Sequence, residues 1–275
     1  MTTPRLSALH VYPVKSLRAV GMQEAVVEPW GLAGDRRWML VDAAADSALT
    51  QREQPRLALL AALPVGGGGL RLTGPGLPPL DVLPPAEGPL RTVRLFAGKV
   101  DVMSAGEEAD AWFSGFLGMA ARLVHLDDPA VRRPIDPRYA LPGETVSLAD
   151  GYPLLVTTAA SLDALNALIA AGDRAQEGPL PMNRFRPNAV IEGTAPWAED
   201  DWRRVRIGEV TFRVPKACSR CVVTTTDQDA GTRGKEPLRT LGRHRRIGSG
   251  LIFGQNLVPE HSGTLRVGDP LTMVK

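Results

Sequence analysis

Glycine and proline are frequent throughout this chain, and they limit the helices that it can form. The 275 residues include 28 glycines and 24 prolines. Glycines fill positions 66–69, and six prolines lie between residues 75 and 89, so neither stretch can form a helix interior or a central strand. We expect hairpin loops at a surface edge over residues 64–90, with a partly flexible insertion as the alternative, and few long helices overall.

Short apolar runs bounded by Gly, Pro and Asp predict strands in the N-terminal third and again after residue 185. Residues 38–41 form one such run. Alternating apolar residues on either side of Gly208 and Glu209 predict a hairpin with a two-residue turn.

Two segments have the apolar spacing of helices. In the first, Ser104 and Glu107 have the spacing of a capping box, and Gly118 stops the apolar run. The second runs from Thr158 to Ala171. With the strands, these helices predict a β-rich α+β protein with two lobes.

A segment rich in proline and charge, residues 123–145, is the best candidate for a linker. It separates two predicted domains, residues 1–122 and residues 146–275.

Charge and composition indicate an ordinary globular protein. Apolar residues make up 44% and charged residues 23%, and 32 Lys and Arg against 30 Asp and Glu give a net charge of +2. This balance gives no reason to expect nucleic acid or a membrane surface as a partner. The N-terminus lacks an apolar signal region, and the most apolar stretch contains Asp163 and Asn166, so we expect a cytoplasmic protein without a membrane span.

Both cysteines of the chain, Cys218 and Cys221, lie directly after the predicted hairpin. Structural zinc needs four ligands, and the later histidines, His244 and His261, do not complete a common spacing. A thioredoxin-like pair needs a helix after the first cysteine, whereas the five β-branched residues at 222–226 predict extended chain. Both interpretations are therefore weak.

Two further interpretations of the cysteines remain open. The pair can be two buried or unreactive thiols. Alternatively, one thiolate binds a soft metal that a cofactor supplies together with the remaining ligands. Lys216, Arg220 and Arg213 lie nearby in the sequence, and cations of this kind stabilise a thiolate.

Short polar clusters interrupt the apolar pattern at four places: YPVKS at 12–16, DRR at 35–37, NRFRPN at 183–188 and FGQN at 253–256. Cations, amides and hydroxyls are the groups that an anionic, amide-rich ligand needs. For each cluster taken alone, a surface salt bridge or a turn is the commoner explanation. A fifth segment, residues 233–246, is basic. It can be a solvated surface, a surface that guides an acidic protein partner, or a group of cations that screens a phosphate. It lacks the interleaved aromatic residues that are typical of nucleic-acid binders.

Taken in order, these clusters resemble the MOSC family, which is named for the C-terminal domain of molybdenum cofactor sulfurase. The resemblance is closest to its two-part members, which carry an N-terminal MOSC β-barrel domain and include the amidoxime-reducing components. The matching stretches are YPVKS at 12–16, GDRRW at 34–38, NRFRPN at 183–188, CSRCVVTTTD at 218–227, KEPL at 235–238, FGQN at 253–256 and VGDP at 267–270.

The resemblance implies a β-barrel-like domain followed by a MOSC β-barrel domain with a few flanking helices. It also implies an oxidoreductase that uses the molybdenum cofactor to reduce N-hydroxylated compounds such as hydroxylamines, amidoximes and N-hydroxylated bases. Cys221 is then the metal ligand and a catalytic residue, and Cys218 has no assigned role. The implied contacts with the pterin and its phosphate are Lys15, Ser16, Arg36, Thr158, Arg186, Asn188, Ser219, Arg220 and Asn256.

The proton donor is not implied by the resemblance. Asp227 is our hypothesis for a catalytic acid, because it is the nearest carboxylate in the loop after the cysteines.

Two departures from the relatives affect the predicted partners. No cysteine follows Cys221, so we expect no intrinsic iron–sulfur cluster. We therefore expect a separate donor protein to dock near residues 233–246 and to supply the electrons. We also expect no membrane anchor of the kind that the mitochondrial relatives carry. The alternative function is that of a module that carries the cofactor or sulfur without turnover, because other MOSC domains are associated with pyridoxal-phosphate sulfurases. The third possibility is a degenerate member of the family that binds no metal.

Overall fold

The computed structural model describes residues 3–274, and strands predominate in it. In the first half of the chain, strands β1–β12 span Arg5–Val11, Val20–Met22, Glu24–Glu28, Gly31–Leu32, Trp38–Asp42, Ser47–Leu49, Ala61–Val65, Gly69–Thr73, Leu80–Val82, Leu90–Leu95, Gly98–Ser104 and Ala121–His125. In the second half, strands β13–β20 span Leu154–Thr158, Ala189–Glu192, Arg204–Ile207, Val210–Ser219, Arg246–Ile247, Gly250–Pro259, Gly263–Arg266 and Leu271–Met273. The helices α1–α4 span Glu107–Leu117, Pro129–Arg132, Ala159–Ala170 and Leu238–His244.

These strands form a closed barrel and three open sheets. The barrel has the order β10-β11-β12-β5-β6, and the largest sheet has the order β2-β1-β14-β13-β18-β16-β15-β20 with β17 paired to β18. Two three-stranded sheets, β19-β3-β4 and β7-β8-β9, complete the fold. The predicted β-rich α+β class with an N-terminal barrel is confirmed.

The first strand of the chain belongs to the large sheet. Strand β1 is antiparallel to β14, with Leu9 opposite Ala189. Residues that follow β1 therefore meet residues that precede β14, which brings the cluster at 12–16 beside the cluster at 183–188.

The domain boundaries at residues 122 and 145 stay predictions. In the structure, β12 continues to His125 inside the barrel, and β1 and β2 join strands from the second half of the chain.

Helix α1 packs its aromatic side chains against strands of the barrel. Trp112, Phe113 and Phe116 are buried in a cluster with Leu40 and Leu123, as the apolar spacing predicts. Burial of each large side chain contributes about 1.5–3 kcal/mol.

The start of α1 differs from the prediction, although its end at Gly118 is confirmed. The N-cap residue is Gly106, without a side-chain cap. The capping box does not form because Ser104 is the last residue of β11 and its hydroxyl accepts a hydrogen bond from the Gly106 N–H.

The segment after the cysteines also differs from the prediction. Residues Val222–Thr225 form one turn of 3-10 helix rather than extended chain. The hydroxyl of Thr224 donates to the Cys221 carbonyl, and that of Thr225 donates to the Val222 carbonyl, at 2.9 and 2.8 Å. These local bonds outweigh the preference of β-branched residues for extended chain.

The other local predictions agree with the structure. Gly66–Gly68 form the turn between β7 and β8, and β9 lies at the edge of that small sheet within the proline-rich stretch. Strands β15 and β16 form the predicted hairpin, with Gly208 at a φ of 56°. None of the helices within residues 3–274 has both the length and the apolar character needed to cross a membrane.

Candidate active site

A cavity of about 180 Å³ lies where the segment after β1 meets the end of β16. It collects residues that are far apart in the sequence. The predicted site residues that line it are Lys15, Ser16, Arg36, Arg186, Asn188, Ser219, Arg220, Cys221 and Asn256.

Both cysteine thiols line this cavity, and each lies next to a guanidinium group. The Cys221 sulfur accepts from Arg52 Nη2 at 3.4 Å, and the Cys218 sulfur accepts from Arg220 Nη1 at 2.9 Å. Both cysteines are partly exposed, so neither is sealed in apolar packing. Within residues 3–274 no group of three or more His, Cys, Asp and Glu side chains is arranged to hold a metal.

Lys15 is a buried cation at the cavity wall, exposed over 4% of its surface. Its Nζ donates to the Leu148 carbonyl at 2.8 Å and to Asp150 Oδ1 at 2.5 Å. Burial lowers the pKa of Lys15 to about 8, although Asp150 opposes that shift. Close to neutral pH this lysine is therefore charged, and Asp150 is the carboxylate that compensates its charge.

Two arginines from distant clusters meet on one aromatic ring. The guanidinium carbons of Arg36 and Arg186 lie 4.1 and 4.3 Å from the centroid of the Tyr12 ring. Burial raises the pKa of Tyr12 to about 12, so the ring stays neutral. Its hydroxyl donates to the Pro187 carbonyl at 3.0 Å, which ties the ring to the turn before β14.

The two arginines differ in the groups that compensate their positive charges. Arg36 Nη1 donates to Asp35 Oδ2 at 2.5 Å and to Asn188 Oδ1 at 3.0 Å. Arg186 donates to Gln228 Oε1 at 3.4 Å, and no carboxylate among the described residues forms a salt bridge with it. Burial lowers the pKa of Arg186 to about 10. A buried cation without a counter-ion is costly, and its position on the cavity wall fits an anionic ligand.

Backbone strain is also concentrated at this cavity. Ser16, Arg36 and Arg186 have φ angles of 72°, 46° and 53°. The left-handed region costs about 1–3 kcal/mol for a residue other than glycine and often marks a functional site.

Two asparagines and a glycine fix the strands around the site. The side-chain oxygen of Asn188 accepts from the Leu155 N–H at 3.1 Å, and Asn256 Nδ2 donates to the Lys216 carbonyl at 3.1 Å. Gly254 has a φ of 80°, and a Cβ there would lie 2.6 Å from the Val156 carbonyl oxygen. Glycine therefore allows β18 to pair closely with β13 beside Asn256.

Comparison with known proteins identifies the family. The model of the MOSC N-terminal beta barrel domain matches residues 3–120, and the model of the MOSC domain matches residues 143–272. The chain belongs to the MOSC family.

Relatives of this MOSC protein align over nearly its whole length. Mitochondrial amidoxime-reducing component 1 of Mus musculus is 34% identical over 288 residues, which cover 98% of this chain and 82% of the relative. Its Homo sapiens counterpart is 32% identical, with the same two coverages. Mitochondrial amidoxime reducing component 2 of Homo sapiens is 33% identical and covers 97% of this chain, which in turn covers 82% of that relative.

Thr158 does not line the cavity of this MOSC protein. It is fully buried and caps α3, where its hydroxyl accepts from the Ser161 N–H at 3.2 Å. The same hydroxyl donates to Glu199 Oε2 at 3.1 Å. These bonds occupy the oxygen in a helix cap.

Asp227, our hypothesis for the proton donor, also lies outside the cavity lining. Its carboxylate accepts from the Ala230 and Asp229 N–H groups, both at 2.9 Å, and from Arg184 Nη2 at 2.8 Å. These hydrogen bonds lower the pKa of Asp227, which favours an ionised residue that stabilises its turn.

Two cavity residues, Arg52 and Asp150, have no sequence signal that singles them out. Asp150 Oδ2 accepts from Arg52 Nη2 at 2.9 Å while its other oxygen accepts from Lys15. Burial alone would raise the pKa of Asp150, but Lys15 and Arg52 outweigh it and hold that pKa well below its usual range. The charged residues that line the cavity are Lys15, Arg36, Arg52, Arg186 and Arg220 against Asp150, so its field is strongly positive.

Proposed function

We propose that this MOSC protein reduces N-hydroxylated compounds, namely hydroxylamines, amidoximes and N-hydroxylated bases, with a molybdenum cofactor bound in the cavity. The observation that carries the proposal is the position of Cys221, a partly exposed thiol that lines a cavity with five cations and one carboxylate. The relatives that are named for amidoxime reduction support the substrate class.

The side chains of the cavity fit the cofactor, which carries a phosphate and an anionic metal-binding group. Arg186 is a buried guanidinium that forms no salt bridge with any carboxylate of residues 3–274, and an anion beside it would remove the cost of its burial. Lys15, Arg36 and Arg220 extend the same positive wall. Ser16, Ser219, Asn188 and Asn256 add hydroxyl and amide groups for the polar edges of a pterin.

When bound, the cofactor would supply a two-electron redox centre with one coordination position for the Cys221 thiolate. Conversion of an N–OH group to N–H takes two electrons and two protons and releases water. Asp227 is not part of this proposal, because its carboxylate lies in a turn and does not line the cavity. We assign the protons to solvent.

The two electrons must come from outside the substrate, and we propose a separate acidic redox protein as the donor. A groove of about 850 Å³ begins beside Val222, the residue next to Cys221. The cations that line it are Arg174, Arg233, Lys235, Arg239, Arg243 and Arg246. Asp173 pairs with two of them, Arg239 and Arg243, which leaves a net positive groove for an acidic surface.

A carrier of the cofactor or of sulfur is the second candidate. The observation that favours it is that Cys218 lines the same cavity as Cys221 and accepts from Arg220 at 2.9 Å. A neighbouring cation of this kind would stabilise a persulfide on either sulfur.

The test is expression in a molybdenum-replete host. We expect about one molybdenum per chain, pterin fluorescence after oxidation, and reduction of benzamidoxime and hydroxylaminopurine with an artificial electron donor. A bound persulfide without turnover would support the carrier instead. Molybdenum-loaded protein without turnover would support a carrier of the cofactor, and protein with neither molybdenum nor a persulfide would contradict both candidates.

A further inference from the structure

A second cavity, of about 360 Å³, lies at the end of the N-terminal barrel next to the candidate active site. Arg52 lines both cavities. Its guanidinium donates to the Cys221 sulfur on one side, so a molecule in the second cavity would lie one side chain away from the thiol.

The walls of this second cavity suit a small organic molecule. The apolar surface comes from Ala48, Leu49, Phe96 and Met119, and the polar and charged atoms come from Asp42, Ser47, Thr50, Arg52, Glu53, Gln54 and Arg94. The volume falls within the range of about 300–1,000 Å³ of small-molecule sites, and the many polar atoms suit a polar molecule that carries one apolar group.

Phe96 is the unusual residue of this cavity. It lies in the turn between β10 and β11 with a φ of 56°, and 44% of its surface is exposed. A bulky residue in the left-handed region is a genuine outlier, and a residue that is almost half exposed gains only part of the stabilisation of a buried one. The turn itself therefore gives no reason for phenylalanine at this position.

Two cations of the candidate active site lie against the Phe96 ring. Lys15 Nζ is 5.0 Å and the Arg52 guanidinium carbon is 4.9 Å from the ring centroid. These contacts hold the ring at the boundary between the two cavities.

We propose that the second cavity binds the non-reacting part of the substrate, and that Phe96 selects planar, aromatic N-hydroxylated compounds by stacking. This inference rests on the proposed function. A cofactor bound in the cationic cavity would fill it, so the rest of a substrate whose N–O group lay beside Cys221 would extend past Arg52 towards Phe96. The N-terminal barrel then determines specificity.

The test compares an aromatic with a non-aromatic substrate on molybdenum-loaded enzyme. In Phe96→Ala, we expect the KM for benzamidoxime to rise about 2- to 10-fold, which corresponds to the usual stacking free energy of one aromatic pair. We expect kcat and the KM for hydroxylamine to stay unchanged. Phe96→Tyr keeps the ring and restores the KM. Leu83→Ala is the matched control, since Leu83 is 65% exposed and lines neither cavity.

Calorimetric binding of benzamidoxime to the same loaded proteins separates this inference from the proposed function. Turnover by the wild-type enzyme tests the function. Weaker binding in Phe96→Ala supports the inference even where turnover is absent. Equal binding by wild type and Phe96→Ala, or the same KM change for both substrates, overturns it.

Discussion

Arg52 and Cys221 lie 169 residues apart in the sequence, yet Arg52 Nη2 is 3.4 Å from the Cys221 sulfur. Arg52 follows strand β6 of the barrel, and Cys221 follows strand β16 of the large sheet. Asp150 holds the same guanidinium at 2.9 Å. The candidate active site is therefore built by both halves of the chain, and neither half alone supplies the thiol and its cationic neighbour.

Arg186→Met tests whether the unpaired guanidinium serves an anionic ligand. We expect the cofactor-free variant to unfold at the same temperature as the wild type or above it, because the substitution removes a buried charge without a counter-ion. The molybdenum content of protein from a replete host should fall by at least about 10-fold, as for other residues that support a metal site. Thermal unfolding and metal analysis measure the two effects.

Arg184→Met is the matched control for Arg186→Met. Arg184 is equally buried but pairs with Asp227 at 2.8 Å and donates to the Thr225 carbonyl at 3.0 Å. The Arg184→Met substitution should therefore lower the unfolding temperature of the cofactor-free protein. If Arg186→Met destabilises that protein as much as Arg184→Met does, Arg186 is a structural residue and its proposed role is wrong.

Lys15 should give the cofactor-free protein a distinct pH dependence. Burial lowers its pKa from the usual 10.5 to about 8 in the folded state. Between these values the unfolded chain binds the proton and the folded chain does not, so this group makes the protein more stable as the pH rises from 8 to 10.5. The gain is lost as the pH falls from 10.5 to 8.

The wild-type protein and Lys15→Met should be compared by their unfolding temperatures across that pH range. The unfolding temperature of the wild type should rise relative to that of the variant towards pH 10.5. Other groups that titrate at alkaline pH are present in both proteins, so their effects cancel in this difference. A constant difference would show that the Lys15 pKa is not lowered by folding.

Asp227→Asn tests the hypothesis that Asp227 donates a proton. The hydrogen bonds of its carboxylate predict a structural role, so we expect lower thermal stability and an unchanged kcat per bound molybdenum. Loss of kcat with a shifted pH–rate profile would restore Asp227 as the acid.

The order of the polar clusters along the chain is enough to predict the family, the fold class and nine of the twenty residues that line the cavity. YPVKS and NRFRPN come together because β1 and β14 are antiparallel neighbours, which no local pattern reveals. Lys15 and Arg186 were nevertheless identified, since each lies inside a motif.

Arg52 and Asp150 could not be predicted, because their importance comes only from tertiary contacts. Nothing near either residue in the sequence marks it, and their shared ion pair spans the cavity. The resemblance implies Thr158, at the start of a helix, as a cofactor contact. In the structure its hydroxyl accepts from the Ser161 N–H in a helix cap and donates to Glu199. Local sequence predicted the helix start but could not predict which direction the hydroxyl faces.

Charge reversal in the basic groove tests the proposed electron donor. Lys235→Glu combined with Arg246→Glu changes two groove cations that form no salt bridge with the described residues. With a reduced acidic ferredoxin at low salt we expect turnover to fall by about 10-fold or more, as for steered encounters, and with a small artificial donor we expect no change.

Lys99→Glu is the control for that reversal, since Lys99 is an exposed residue of β11 and lines none of the cavities described above. It should leave both donors unaffected. Equal losses with the ferredoxin and the artificial donor would show that the groove variant damages the enzyme itself and would contradict docking there.

The most direct test of the account is the comparison of Cys221→Ser with Cys218→Ser, each produced in a molybdenum-replete host. X-ray absorption at the molybdenum edge measures the sulfur ligands, and benzamidoxime reduction measures the activity. We predict that Cys221→Ser loses one sulfur ligand and about 100-fold or more of the activity, whereas Cys218→Ser keeps both. Equal activity and equal sulfur coordination in the two variants would contradict the assignment of Cys221 as the metal ligand.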